Sequence, residues 1–61
     1  MSEDFNMSMR KFLKQVGVTS QQAIEETLRD ANAGDYEIEA EIKIPQTGMT
    51  HTVKGVIKVG E

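Results

Sequence analysis

Glu37, Glu39 and Glu41 alternate with Tyr36, Ile38, Ala40, Ile42 and Ile44. On a strand, alternate side chains share a face, so these carboxylates form a row. A hard cation needs several such oxygens. The row projects at even spacing from one straight strand, with lysines opposite, and does not converge on one ion. It is expected to keep a sheet soluble and to act as an anionic docking strip. Arg10, Lys11 and Lys14 make the one basic cluster, suited to an acidic partner or a phosphate, although a solvated helix face explains three charges as simply. These six residues are the candidate partner contacts.

The remaining chemical groups point away from catalysis. His51 is a single histidine with no cysteine in the chain, and no serine or carboxylate is obviously placed beside it. It reads as a rim residue whose protonation would tune stability near neutral pH if it were buried. Met7 and Met9 resemble a thioether pair for monovalent copper, but on a helix they point about 200° apart. Met9 therefore reads as core and Met7 as partly exposed. No glycine-rich loop leads from a strand into a helix, and a chain this small has little room for an enzyme-sized pocket. The expectation is no enzyme, no catalytic residue, no cofactor and no metal.

Two apolar stripes and one alternating pattern must position these groups. Phe5, Met9, Phe12, Leu13 and Val16 recur at helical spacing, which predicts a first helix over about 5–16. Asp4 is its expected N-cap, and Gly17 its expected stop. Thr19-Ser20-Gln21-Gln22 fits a capping box, with Val18 stapling onto Ala23 or Ile24. That predicts a second helix over about 20–33, with Ala23, Ile24, Thr27, Leu28 and Ala31 as its stripe and Asn32-Ala33-Gly34 as its end. From Asp35 onward the period is two. Strands are expected over about 36–44 and 49–59, joined by the turn Pro45-Gln46-Thr47-Gly48. A four-residue loop pairs Ile44 with Met49 and Glu39 with Lys54; a six-residue loop pairs Ile42 with Val53 and Glu41 with Lys54. Both registers set acid against base on the wet face, a gain of roughly 0.2–1 kcal/mol per pair. Loop-length habits slightly favour the first, but the sequence does not decide between them.

Two helices, a glycine turn and a hairpin also invite a helix-turn-helix reading with a wing. The recognition helix would carry Glu25, Glu26 and Asp30 against Arg29 alone, a face that repels DNA. Leu13 also sits where such turns need a small residue. A net charge of −3 argues the same way. A nucleic-acid-binding regulator with a degenerate helix-turn-helix is the alternative reading, and nucleic acid is not the expected partner.

At 61 residues the chain is expected to be one domain with a marginal core. Without cysteine no disulfide can staple it, and one histidine is too few for an ordinary zinc site. Self-association is the remedy left. The acidic start Met1-Ser2-Glu3-Asp4 argues against a secretory signal. No apolar run reaches membrane-span length, and a cysteine-free composition fits the cytoplasm.

The run Phe5 to Lys14, followed by Val16-Gly17-Val18-Thr19-Ser20-Gln21, resembles a family of short bacterial proteins defined only as a domain of unknown function. Ile44-Pro45, Gly48-Met49-Thr50-His51 and Gly55 resemble that family's C-terminal half. The resemblance implies a bacterial cytosolic protein and supplies no mechanism.

The expected fold is α+β: two short helices followed by an antiparallel β-hairpin (ααββ), with the helices on one face of the sheet. The expected function is a small non-enzymatic protein-interaction module. It would bind an unidentified protein partner and self-associate as a homodimer through sheet edges, because a lone two-stranded sheet is marginal and has two open edges.

Overall fold

The computed structural model describes residues 2–60. The architecture is α+β, with one helix followed by an antiparallel β-hairpin. The chain divides into two compact units, Met1–Asp30 and Ala31–Glu61.

The first unit is a single helix, α1, over Glu3–Leu28, 26 residues long. The expected pair of helices, 5–16 and 20–33, is corrected on this point: the chain runs through Val16-Gly17-Val18 without leaving helical geometry. Gly17 does not take a positive φ, so it is not the left-handed stop that a C-cap needs. A glycine in a helix interior costs only about 1 kcal/mol relative to alanine. Ending the helix there would leave further backbone groups without intrahelical partners. The stripes also join. At about 100° per residue, Phe5, Met9, Phe12, Leu13, Val16, Ala23 and Ile24 fall within one arc of about 120°. Their phase is unbroken across Gly17, whereas Val18 lies on the opposite side and staples nothing.

The capping signals are reassigned as well. The Thr19 hydroxyl donates to the Gln15 carbonyl at 2.8 Å, the back-bond of a threonine inside a helix rather than a cap. The real N-cap is Ser2, in extended conformation, whose Oγ accepts from the Phe5 N–H at 3.2 Å. Asp4 lies in the first turn with Glu3, where the helix dipole favours their charge. The C-cap is Arg29 in right-handed helical geometry, so the helix stops short of Asn32-Ala33-Gly34. Asp30, Asn32 and Gly34 are all weak helix formers, and Gly34 is taken into the first strand.

The second unit is the hairpin: β1 over Gly34–Ile44 and β2 over Met49–Val59. The register pairs Ile44 with Met49, Ala40 with Val53, Glu39 with Lys54 and Tyr36 with Ile57. This is the four-residue-loop register; the six-residue alternative is not formed. The turn explains the choice. The Thr47 and Gly48 N–H groups both donate to the Ile44 carbonyl, at 3.2 and 2.9 Å. The Thr47 hydroxyl donates to that carbonyl and accepts from the Met49 N–H. Gly48 has a φ of +78°, a conformation glycine alone takes freely.

One face of the hairpin is apolar, with Tyr36, Ile38, Ala40, Ile42 and Ile44 beside Met49, Val53, Gly55, Ile57 and Val59. Tyr36, Ile38, Ile42, Ile57 and Val59 are half-buried. Val53, near the middle, is 53% exposed. No residue of α1 is buried, and Met9, expected as core, is 43% exposed.

Candidate functional site

Each cluster of charge lies on one element. Arg10, Lys11 and Lys14 fall in the middle of α1 and are all exposed. Helical neighbours lie three and four residues away, and for these cations they are Asn6, Met7, Ser8, Leu13, Gln15, Gly17, Val18 and one another. None is acidic, so the helix gives this cluster no adjacent counter-charge. Its acids sit at the ends instead: Glu3 and Asp4 in the first turn, Glu25 and Glu26 in the last turns.

Glu37, Glu39 and Glu41 form the expected row on the polar face of β1, with Asp35 and Lys43 continuing it. Across the hairpin stand Val56, Lys54 and Thr52, respectively. Asp35 lies opposite Lys58. The ion pair within 4 Å among the described residues nevertheless runs along β1: Lys43 Nζ lies 3.6 Å from Glu41 Oε1. Both groups are well exposed, and such a pair contributes about 0–1 kcal/mol. The polar face is thus a strip of acids on β1 beside a strip of threonines and lysines on β2.

His51 is exposed and stands opposite Ile42 on the apolar face. The glutamates occupy the other face, so the hairpin does not join this imidazole to a carboxylate. Among the described residues, no group of three or more metal-ligating side chains comes together. A shallow, open depression at mid-hairpin is lined by Glu37, Ile38, Glu39, Lys54, Gly55 and Val56. Glu37, Glu39, Lys54 and Val56 lie on the polar face, and Ile38 and Gly55 are the cross-strand pair between them. The depression offers no set of convergent polar groups.

Two features escaped the sequence reading. The Tyr36 hydroxyl donates to the Asn32 carbonyl at 2.7 Å, tying the segment before β1 to the hairpin. Gly60, at a φ of +92°, packs so closely on Ala33 that a side chain there would collide with it. Both contacts close the open end of the hairpin. The glycine is a visible signal; its partner is not, because the register that brings Gly60 to Ala33 is needed first.

Among the described residues no helix is long and apolar enough to cross a membrane. No curated protein and no solved structure matches the chain. A family model does: that of a family of unknown function (DUF6494), over residues 1–60. This agrees with the resemblance carried by the Phe5–Lys14 run and by the residues around Gly48. The chain belongs to the DUF6494 family, a family of unknown function.

Proposed function

We propose that this chain is a non-enzymatic protein-interaction module that self-associates through the edges of its hairpin. The observation that carries the reading is the sheet itself. It has two strands of 11 residues each, and so one open edge along each strand. A two-stranded sheet is marginal alone, and long open edges are templates for strand addition. α1 carries an apolar stripe as well, which needs a cover of its own. The stripe's proposed cover is the apolar face of a hairpin, as in other two-layer α+β folds. The proposed setting is the cytoplasm, and the basic cluster at Arg10, Lys11 and Lys14 is the second contact surface, for an acidic protein partner.

The non-enzymatic reading is supported by the placement of the titratable groups within each unit: a row, a helical cluster and a lone imidazole. The nucleic-acid reading loses its motif, because the turn of the helix-turn-helix lies inside α1. Sedimentation at several concentrations tests the proposal. A mass of twice 6.8 kDa supports it, and a 6.8 kDa species at every concentration sinks it.

A further inference from the structure

We propose that β2, not β1, is the strand that pairs with a second copy, giving a closed two-fold dimer with strand order β1-β2-β2-β1. This inference rests on the reading that the chain self-associates through its hairpin edges, and it assigns the edge.

The polar face decides between the edges. Take antiparallel, two-fold pairing that keeps the apolar faces together. Full overlap of β1 with a copy of itself sets Glu39 against Glu39 and Glu37 against Glu41. A shift of one step either way sets Glu37 against Glu39, or Glu39 against Glu41. The next shifts set Glu37 or Glu41 against itself. Every extended register therefore places acid opposite acid, which is destabilising in a sheet. β1 guards its own edge with charge, as natural edge strands do.

β2 escapes this conflict in registers one residue from full overlap, although full overlap itself sets Lys54 against Lys54. Its polar face reads Thr50, Thr52, Lys54, Val56, Lys58. Centring the two-fold on Val53 sets Thr52 against Lys54, Thr50 against Val56, and Val53 against the same residue of the copy. On the apolar face, Met49 then meets Ile57. No like charges are opposed. The register centred on Gly55 also avoids them but sets glycine against glycine, losing a side-chain pair at the centre. The Val53 register is therefore the favoured one, and it covers an apolar side chain that is 53% exposed. The competing contact, β1 on the β2 of another copy, is complementary in charge. It is heterologous, however, and leaves an open edge after each addition, so it stops at no dimer and closes only as a ring. Lys54 and Lys58 also already stand opposite Glu39 and Asp35 of their own hairpin.

The chain has no cysteine, so a single introduced one carries a spin label without ambiguity. Thr52→Cys, Glu39→Cys and, on the helix, Gln15→Cys are labelled separately, and both mass and dipolar line broadening are measured. Adjacent strands are about 4.8 Å apart. The proposal expects a dimer with strong broadening at position 52 and much weaker broadening at 39, three strand spacings away. In the unlabelled dimer, β2 amides exchange more slowly than β1 amides. Strong broadening at 39 alone in a dimer moves the contact to β1 and overturns this assignment while sparing edge pairing. Masses that keep growing, with broadening at both 39 and 52, overturn the closed dimer in favour of the heterologous sheet. A dimer coupled only at 15, or a monomer, removes edge pairing altogether.

Discussion

The Thr19 hydroxyl bonds the carbonyl of Gln15 one turn back, at 2.8 Å. A threonine that opens a helix would instead accept from an N–H ahead of it. This bond places Thr19 inside α1 and makes Gly17 an interior residue with open space where a Cβ would stand. Gly17→Ala is therefore expected to stabilise the helix by about 1 kcal/mol. Helical circular dichroism during urea unfolding reads the change. A lower midpoint would mean that Gly17 terminates a helix after all.

Ser2→Ala removes the side chain that caps the Phe5 N–H, and should cost about 1 kcal/mol of helix stability. Asp4→Asn removes only a charge near the helix start, worth about 0.3–1 kcal/mol. Amide exchange over residues 5–8 ranks the two. Greater loss from Asp4→Asn would restore Asp4 as the cap.

The hairpin glycines should separate by conformation. Gly48→Ala forces a side chain into the left-handed region at a φ of +78°, at a cost of about 1–2 kcal/mol. Gly60→Ala should also destabilise, because its Cβ would collide with Ala33. Gly55→Ala should be neutral or stabilising: its Cβ would meet the Ile38 Cγ2 at 3.6 Å, an ordinary contact. Thermal melts of the three variants test the order, and a destabilised Gly55→Ala would contradict the register.

Tyr36→Phe deletes the hydroxyl that reaches the Asn32 carbonyl. The expected loss is about 1 kcal/mol, with faster amide exchange near the open end of the hairpin and little change near Gly48. Uniform loosening along both strands would assign the hydroxyl a different role.

The hairpin was legible because its signals are local and agree with one another. Alternation from Tyr36 to Ile44 fixes the faces, and Pro45 to Gly48 fixes the turn. Loop length slightly favoured the register that Ile44 and Met49 adopt but did not decide it; the bonds of the turn do. The helix was misread for the same local reason. Gly17 looks like a stop and Thr19 like a cap, yet each is tolerated in a helix interior at small cost. The discriminating signal was longer-ranged: Ala23 follows Val16 by two turns on the same face, so the stripe never loses phase. The charged candidates were placed on the correct elements and faces. Their partners were less legible, because Glu41 pairs with Lys43 along its own strand rather than across the sheet.

The central claim, that open hairpin edges drive self-association, is tested most directly by sedimentation equilibrium of the unmodified chain over a wide concentration range. The account predicts a single association step from 6.8 kDa to twice that mass. A chain that stays at 6.8 kDa throughout would contradict it.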